Sequence, residues 1–494
     1  MAVPDPGRMD RALARARDGL GLAAGDSLTL SEASVFMKYL LLEELWKDGI
    51  AGRRRAGEPL ADIRRALEIA LDRLPERQLP DIGAGPAWRR LRLDREYRSR
   101  LLDMTVEAVL GERLAPETCL KSAPHDEAIW SGRRHAVMFG SAPGFSHEFY
   151  PLAVDAYVSA AGQPGEPGVL PLGVHLDWLD AGGAIRRAIA LDPERERLVE
   201  APVEVPFHPD SVQFLCLGSR EQTLHHDLAA RFACPQVNPL APSALADDKA
   251  ATLAGWSALA LETPRSRRFA PGDAAAAERF AADLPDIVIK PNAATEGLGV
   301  VYPRRRDPGF AFKVFAALES CWRLGDALIQ ERRDGVLFLD PRSGSLHSVA
   351  LRLNLVREDQ RYRPNSGFAQ IGAHPDQPAS RGRNGRILPL DVVLSHLVER
   401  RGPRRPVAGP DESLWADIET RAARAAGLFG NLLLVGLDVV LDLSADGRLV
   451  PVFLEANPRP AGLCHSRLFS GSPSRHDQVG VGPTLWRGLA ALCQ

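Results

Sequence analysis

The sequence predicts a protein of mixed α and β structure (α/β or α+β), and two patterns support this class. Near the C-terminus, residues 432–442 and 450–457 are apolar runs separated by a Ser-Ala-Asp-Gly turn at 444–447, which predicts two neighbouring strands. In the middle of the chain, the short apolar segments 134–140 and 212–218 each run into a helix-like stretch. Such alternation of strands and helices is typical of an open α/β layer.

The first 130 residues have a different, helical pattern. A Thr-Leu-Ser-Glu sequence at 29–32 predicts a capped helix start. The spacing of apolar residues predicts three helices, at 33–46, 59–74 and 88–110. Arginines make this region locally basic, but few aromatic residues lie between them. Solvated helix faces therefore explain these arginines better than contact with nucleic acid.

Composition argues against several functional classes. The 494 residues carry a formal net charge of −2, which gives no attraction to nucleic acid or to an anionic membrane. The six cysteines include no Cys-x-x-Cys pair, so neither a disulfide framework nor a zinc site is predicted. The start lacks an apolar signal core, and no apolar run reaches the ~18 residues of a membrane span. We therefore expect a cytoplasmic protein, with about three domains of ~150 residues.

The last of these predicted strands carries candidate metal ligands. Side chains alternate faces along a strand, so Glu455 and Asn457 project to the same side. Asp438 interrupts the preceding apolar run and is the third candidate. Carboxylate and amide oxygens suit Mg²⁺ or Mn²⁺ that is held largely by substrate phosphates. The alternative is that both acids are strand-end residues paired with arginines, which would be ordinary in an arginine-rich chain.

Lysine is rare in this chain, and two of its six lysines stand in phosphate-binding contexts. Lys290 closes a strand-like run and precedes the small-residue turn 294–299. Glycines in that turn allow backbone N–H groups to approach an anion, and an ammonium group adds a compact charge. Lys249 opens a helical stretch. Taken alone, Gly297 and Gly299 fit a simple hairpin turn equally well.

The order of these motifs resembles that of the ATP-grasp superfamily. The resemblance covers Asp247 to Gly462 and rests on Lys249, Lys290-Pro291 with its glycine loop, Ile329-Gln330-Glu331, Asp438 and Glu455-x-Asn457. It implies an ATP-grasp fold with a preceding small α/β substrate domain and an N-terminal helical extension. The predicted domain limits are 1–130, 131–240 and 241–494. The last domain would contain a flexible lid at about 283–330 and metal-bearing strands at 431–460.

The resemblance also implies roles for individual residues. Those implied to bind ATP are Lys249, Lys290, Thr295, Glu296, Gly297, Gly299, Gln330 and Glu331. The lysines and the glycine loop would hold the phosphates, and the last two residues would form the hinge that reads adenine. The implied ligands of Mg²⁺ or Mn²⁺ are Asp438, Glu455 and Asn457. For the acid that contacts ribose, Asp334 and Asp340 both remain candidates.

Arginines are the candidates for work on the substrate. In many carboxylate-activating members of the superfamily, a strand arginine polarises the acyl phosphate. Arg352, on the alternating segment 348–356, fits this role best, and Arg383 in a polar loop is the second candidate. A surface strand cation is the alternative interpretation of Arg352. Arg459 and Gly462 follow the metal strand and are candidates to orient a substrate carboxylate, since an arginine fork matches that geometry.

The predicted function is an ATP-dependent ligase that activates a carboxylate as an acyl phosphate and joins it to an amine. The expected partners are a small-molecule carboxylate and amine, such as amino acids or a peptide of secondary metabolism, and a homodimer is one oligomeric option. No nucleic acid and no membrane are expected. Two alternatives stay open, namely a ligase of the same superfamily that uses a hydroxyl or thiol acceptor, and a nucleotide-binding regulatory protein without turnover.

Overall fold

The computed structural model describes residues 49–56, 58, 62–64, 66–67, 69, 102, 106, 133–140, 148–149, 152–157, 168–192, 197–215, 217, 225–293, 297, 299–341, 343–358, 360–380, 383, 385–460, 462–463, 466–468 and 482–492. These residues form two compact units. One contains the described residues among 1–237, 461–468 and 472–494. The other contains those among 238–460. The class of mixed α and β structure is confirmed.

The elements are numbered here in chain order. The strands are β1 (Arg133–Phe139), β2 (Val169–His175), β3 (Ile185–Asp192), β4 (Arg197–Phe207), β5 (Ser211–Phe214), β6 (Gln236–Val237), β7 (Ser266–Phe269), β8 (Ile287–Pro291), β9 (Ala327–Glu331), β10 (Val336–Leu339), β11 (Leu346–His347), β12 (Val349–Glu358), β13 (Arg361–Ile371), β14 (Arg386–Leu388), β15 (Leu397–Glu399), β16 (Pro406–Val407), β17 (Leu434–Leu443), β18 (Leu449–Asn457) and β19 (Arg467–Leu468). The helices are α1 (His225–Ala229), α2 (Leu240–Asp247), α3 (Lys249–Ala258), α4 (Ala274–Ala282), α5 (Phe310–Trp322), α6 (Leu390–Leu394), α7 (Glu412–Gly427) and α8 (Gly482–Leu492). In the part of the chain that the structure describes, no helix combines the length and the apolar character needed to cross a bilayer.

The first unit is built on a six-stranded sheet in the order β4–β3–β2–β1–β5–β6. β1 pairs in parallel with β2 and β5, whereas β3 and β4 are antiparallel additions at one edge. Residues 135–139 of β1 are buried throughout, as expected for a parallel strand covered on both faces. The strand predicted at 134–140 is confirmed as β1, and β5 confirms the first part of the strand predicted at 212–218.

The N-terminal helices are described only in part. Helical residues occur at 62–64, 66, 67 and 69, inside the predicted segment 59–74, and at 102 and 106, inside the predicted segment 88–110. Residues 49–55 are also helical, where no helix was predicted. The predicted helix 33–46 and its cap at 29–32 lie outside the described residues.

Helix α8 belongs to the first unit. Its Leu489 is fully buried, and Trp486 Nε1 donates a hydrogen bond to Asp155 Oδ2 at 3.0 Å. The sequence predicts one C-terminal domain over 241–494, whereas the chain leaves the second unit after Pro460. The physical reason is that α8 has its packing partners in the first unit, which a local sequence pattern does not reveal.

The second unit contains a small antiparallel sheet, β7–β9–β8, with α4 and α5 packed on one face. Ile289 on β8 and Ile329 on β9 are fully buried among the residues of these helices. Because neighbouring side chains on a strand alternate, Lys290 and Gln330 point to the opposite face. This sheet therefore presents an apolar side to its helices, and its other side carries Lys290 and Gln330 beside Leu328, which belongs to the main core of the unit.

The larger sheet of the second unit follows the path β14–β13–β12–β17–β18 with all neighbours antiparallel. Helices α3 and α7 cover one face, where Leu351, Leu353 and Leu437 contribute to the main core. Trp256 of α3 is fully buried and donates its Nε1–H to the Ala425 carbonyl of α7 at 2.9 Å. The predicted C-terminal hairpin is confirmed as β17 and β18. A third sheet, β11–β10–β15–β16, completes the unit.

Candidate active site

The candidate site lies on the face of the large sheet opposite this core. Arg352 on β12 is directly opposite Asp438 on β17, and Asp438 is directly opposite Glu455 on β18. Directly opposed residues share a face of the sheet, so the three side chains form one row. Asn457 lies two residues beyond Glu455 and therefore on the same face. The structure thus brings together all three predicted metal ligands.

Asp438 accepts hydrogen bonds on both carboxylate oxygens and is only 7% exposed. Arg352 donates from Nε to Oδ1 at 2.5 Å and from Nη2 to Oδ2 at 3.1 Å. Gln370 Nε2 donates to Oδ1 at 3.4 Å, and Asn457 Nδ2 donates to Oδ2 at 3.3 Å. Burial raises the pKa of the Asp438 carboxyl, and the adjacent guanidinium opposes that rise. Asp438 is therefore paired with an arginine, as the alternative interpretation of this acid predicted. The partner is Arg352, which is also the first candidate for the catalytic arginine.

Glu455 is the shared counter-ion of two lysines. Its Oε2 lies 3.7 Å from Lys249 Nζ and 3.6 Å from Lys290 Nζ. Burial by itself would raise the pKa of Glu455, but the two ammonium groups outweigh burial and hold this pKa at about 2. Glu455 is therefore ionised at neutral pH.

The charges of this cluster do not balance. Lys249, Lys290 and Arg352 are each less than 9% exposed, and they face the carboxylates Asp438 and Glu455. Burial lowers the pKa of Lys290, although Glu455 opposes that effect. With three cationic and two anionic groups, the cluster favours an additional anion, and a phosphate chain is one that two lysines can bind.

A hydrogen-bonded pair of side chains brings the two lysines together. Asp248 caps α3 by accepting a backbone N–H of its first turn at 2.9 Å. Asn292, two residues after Lys290, donates to Asp248 Oδ1 at 2.9 Å and accepts from the Ala250 N–H at 2.9 Å. The end of β8 is thereby fixed to the start of α3. Lys249 and Lys290 reach the same carboxylate for this reason.

The predicted hinge residues lie on β9. Gln330 is 3% exposed and shares a face with Lys290, and its Nε2 has no hydrogen-bond partner among the described residues. A buried amide donor without a partner is costly, so this side chain fits a ligand with acceptor atoms such as a purine base. Glu331 is half-buried, and its own N–H donates to the Arg265 carbonyl at 2.8 Å.

The glycine loop has the backbone that its sequence predicts. Gly297 and Gly299 have φ values of +67° and +70°, a left-handed region that favours glycine. A Cβ atom at position 299 would lie 3.0 Å from the ring of Pro291, so the loop packs closely on the residue after Lys290. Thr295 and Glu296 lie outside the described residues.

Arg383 contacts the glycine loop and not the carboxylate row. Its Nε donates to the Gly297 carbonyl at 3.2 Å. A Cβ atom at position 297 would lie 3.1 Å from the Cβ of Pro378, in the same polar loop as Arg383. Of the two predicted catalytic arginines, the structure therefore places only Arg352 beside Asp438.

The two residues predicted to orient a substrate carboxylate belong to different units. Arg459 is in the second unit, where its Nη2 pairs with Asp247 Oδ2 at 2.6 Å. Its Nη1 is buried and has no hydrogen-bond partner among the described residues. Gly462 is in the first unit, and its N–H donates to Glu148 Oε1 at 2.9 Å.

Both candidates for the ribose-contacting acid are paired with arginines. Asp340 accepts from Arg386 Nη2 at 2.8 Å. Asp334 belongs to a group called the arginine cluster below, which comprises Arg304, Arg332, Asp334, Asp376 and Arg400. Within it, Arg332 Nε donates to Asp334 Oδ1 at 2.8 Å, and Arg400 Nη2 donates to Asp334 Oδ2 at 2.5 Å. Each acid thus has a cationic partner inside the protein.

Sequence reasoning missed three residues of the site, namely Asn292, Gln370 and Gly436. A Cβ atom at position 436 would lie 3.0 Å from Arg352 Cδ and 2.8 Å from Pro460 Cβ, so glycine makes room for the arginine. A glycine inside an apolar strand was the available signal, because it often marks close approach of another group. Asn292 and Gln370 had no comparable signal in the sequence.

The three predicted metal ligands fit a hard divalent cation. Asp438 and Glu455 offer carboxylate oxygens, and Asn457 offers an amide oxygen beside them. Among the described residues, no group of three or more His, Cys, Asp or Glu side chains could hold a metal. Two carboxylates and one amide suffice where substrate phosphates supply the remaining ligands, as is usual for Mg²⁺.

No protein-family model and no curated protein matches the sequence. Among solved structures, the VanG D-Ala:D-Ser ligase from Enterococcus faecalis is 15% identical, with a TM-score of 0.47 over 74% of this chain and 100% of that chain. The D-alanine-D-alanine ligase from Coxiella burnetii is 11% identical, with a TM-score of 0.43 over 73% and 95% of the two chains. The D-cycloserine synthetase DcsG is 16% identical, with a TM-score of 0.44 over 73% and 100%. At such low identities, function has to be inferred from the residues of the site.

Proposed function

We propose that this protein is an ATP-dependent ligase of the ATP-grasp type that joins a carboxylate to an amine and releases ADP and phosphate. The observation that carries the proposal is one carboxylate, Glu455, placed between Lys249 and Lys290 and beside Asp438. Phosphoryl transfer depends on lysines and metal ligands that converge on one point, because positioning and charge neutralisation are most of its catalysis. Arg352, which lies beside Asp438 on the neighbouring strand, adds a cation for the second step, in which the amide forms.

ATP with Mg²⁺ suits these donors, and Mn²⁺ is the alternative metal. Asp438, Glu455 and Asn457 would hold the metal, which when bound neutralises charge on the phosphate oxygens. Gln330 would donate its buried Nε2–H to an acceptor of the adenine ring. That bond would satisfy a donor that otherwise has no partner among the described residues.

The first step makes an acyl phosphate. A carboxylate oxygen of the acid attacks the γ-phosphorus, the bond from that phosphorus to the β,γ-bridging oxygen breaks, and ADP leaves. Lys249 and Lys290 would hold the phosphate oxygens in line for this attack. The loop that includes Gly297 and Gly299 would exclude water, which would otherwise hydrolyse the intermediate.

The second step forms the amide. The amine nitrogen attacks the acyl carbon, the bond from that carbon to the phosphate oxygen breaks, and phosphate leaves while the nitrogen loses a proton to it. Arg352 would stabilise the negative charge on the carbonyl oxygen as the tetrahedral adduct forms. We expect amino acids or a peptide as substrates, in cytoplasmic secondary metabolism. The buried Nη1 of Arg459 would orient a substrate carboxylate.

The test uses the purified protein with ATP, Mg²⁺ and a pooled amino-acid library, with hydroxylamine as a general acceptor. Release of ADP should be negligible with ATP alone and should rise when an acid and a nucleophile are both present. Mass spectrometry of the hydroxamates then identifies the acid. Tight ATP binding without substrate-dependent hydrolysis across a broad panel would instead favour a nucleotide-binding regulatory protein.

A pair of variants ties the activity to the site. Glu455→Gln removes the shared counter-ion and should lower turnover by about 10² or more. Asp446→Asn is the matched control, because its carboxylate is exposed and contacts neighbours in its own turn, Arg448 at 2.6 Å and the Ser444 hydroxyl at 2.5 Å. It should leave turnover unchanged. Near-normal activity of Glu455→Gln would remove the basis of the proposed function.

A further inference from the structure

The acceptor positions of Asp438 are all engaged by protein donors. A carboxylate offers about four lone-pair positions, two on each oxygen. Oδ1 accepts from Arg352 Nε and Gln370 Nε2, and Oδ2 accepts from Arg352 Nη2 and Asn457 Nδ2. A metal ion can therefore coordinate Asp438 only if it replaces at least one of these donors.

The four donors differ in charge and so in how they would respond to a metal. Gln370 and Asn457 are neutral amides, and their bonds of 3.4 and 3.3 Å are long. Arg352 carries a full positive charge and binds both oxygens, with its shorter bond at 2.5 Å. A guanidinium and a divalent cation on the same buried carboxylate repel each other strongly, since the surrounding dielectric is low. Arg352 is the donor that conflicts with the metal.

We propose that Arg352 is a counter-ion of Asp438 that the divalent metal displaces, so that metal loading and release of the catalytic arginine are one event. This inference rests on the proposed function for the identity of the metal site. It adds an order to that function, because the guanidinium becomes available to the acyl oxygen only when metal and nucleotide are in place. An acid that arrives before them meets an arginine already held by Asp438.

Arg352 has a second neighbour that can stabilise its charge when Asp438 is given up. Its guanidinium carbon lies 5.9 Å from the centre of the Phe368 ring, the neighbour opposite it on β13, and an aromatic face can stabilise a cation. On its other side stands Gly436, where any Cβ atom would come within 3.0 Å of Arg352 Cδ. Glycine at this position keeps open the space that the aliphatic part of the side chain requires.

The test measures metal affinity and not turnover. The full-length protein is titrated with Mn²⁺ in the presence of a non-hydrolysable ATP analogue, and free Mn²⁺ is followed by electron paramagnetic resonance. Arg352→Gln should bind Mn²⁺ at least tenfold more tightly than the wild type, because no cation competes for Asp438. Arg352→Lys, which keeps the charge but not the two-point contact, should lie between them.

Gln370→Leu is the matched control, because it removes a neutral donor from the same carboxylate oxygen. Its Mn²⁺ affinity should change less than threefold. The proposal is overturned if Arg352→Gln binds Mn²⁺ no more tightly than wild type, or if Gln370→Leu gives an equal gain. Failure of the proposed function looks different, since the wild type would then form no product with any acid and nucleophile, whether or not it binds the Mn²⁺–nucleotide complex.

A second measurement on the wild type covers the case in which Arg352→Gln does not fold. Arginine labelled with ¹⁵N at Nε gives an N–H signal for Arg352, assigned by its disappearance in Arg352→Lys. Addition of Mg²⁺ and the ATP analogue should shift this signal and speed its exchange with water. A signal that keeps its position and its slow exchange would show that Arg352 stays on Asp438 and would refute the displacement.

Discussion

Two groups of charged side chains in the second unit are built in different ways. The site cluster comprises Lys249, Lys290, Arg352, Asp438 and Glu455, and the arginine cluster comprises Arg304, Arg332, Asp334, Asp376 and Arg400. In the arginine cluster, the guanidinium bonds to Asp334 are 2.5–3.2 Å long, and Arg332 and Arg400 also donate to the Pro375 carbonyl at 2.7 and 2.8 Å. In the site cluster, the lysines stay 3.6–3.7 Å from Glu455, beyond hydrogen-bond distance.

The difference separates arginines that hold the fold from lysines that await a ligand, whereas Arg352 of the site cluster makes the same short two-point contact with Asp438 as the arginine cluster makes with Asp334. Short two-point bonds to carboxylate and backbone oxygens satisfy the donors of Arg332 and Arg400, so their removal would leave buried acceptors unpaired. The lysines of the site gain less from Glu455, and burial lowers the pKa of Lys290. Burial also lowers the pKa of Arg400, to about 10, so the contact distances and not the pKa shifts distinguish these arginines from the lysines of the site.

The largest effect should come from the arginine cluster. Arg332→Leu removes one of the two arginines that bind Asp334 and one of the three that contact Asp376, and the unfolding free energy should fall by about 3 kcal/mol. Chemical denaturation measures this loss. The control Arg448→Leu breaks an exposed pair with Asp446 and should change stability by less than about 1 kcal/mol. Equal losses in the two variants would contradict the structural role given to the cluster.

A buried histidine in the first unit makes the unfolding free energy depend on pH, so variants of the two clusters should be compared at neutral pH. His135 is 1% exposed, and burial lowers its pKa to about 4, while its bond to Gln213 opposes this. Because the folded pKa lies below the unfolded value of about 6.5, stability is complete above pH 6.5 and falls by about 3 kcal/mol as pH drops toward 4. Denaturation at pH 7 and pH 4.5 measures the fall. His135→Gln should flatten it, whereas the exposed control His226→Gln should not.

Lys290 should behave in the opposite way to Arg332. Lys290→Met should weaken binding of a non-hydrolysable ATP analogue by about 30-fold, equivalent to about 2 kcal/mol. Its unfolding free energy should stay level or rise, because burial already disfavours the charged form of this lysine. Calorimetric titration and denaturation give the two values, with the exposed Lys313→Met as control. A stability loss like that of Arg332→Leu would erase the distinction between the clusters.

The smallest predicted effect concerns the space beside Arg352. Gly436→Ala places a Cβ atom 3.0 Å from Arg352 Cδ and should cost about 1–2 kcal/mol of stability. Turnover should fall further than stability suggests, since the added methyl group takes up the space that the aliphatic part of the Arg352 side chain requires. Gly427→Ala is the matched control, because a Cβ atom at position 427 would meet no neighbouring group within 4 Å. If both alanine variants turn over normally, the position of Arg352 in the site does not depend on the glycine at 436.

The sequence by itself determined the local geometry of the site. A strand period of two places Glu455 and Asn457 on one face whatever the rest of the chain does. The turn at 444–447 makes the two C-terminal strands neighbours, so Asp438 has to lie near Glu455. The sequence predicts that Lys249 opens a helical stretch, and the structure confirms a helix that begins at Lys249. Each of these inferences uses residues that are close together in the chain.

Only the tertiary structure decided which distant residues join this set. Arg352 meets Asp438 because β12 is the neighbour of β17, and strand order is not encoded in any one segment. Lys249 and Lys290 share Glu455 because Asn292 fixes the end of β8 to the start of α3. The placement of α8 in the first unit follows from the same cause. Local periodicity sets the face on which a side chain lies, whereas packing between elements far apart in the chain sets its partner.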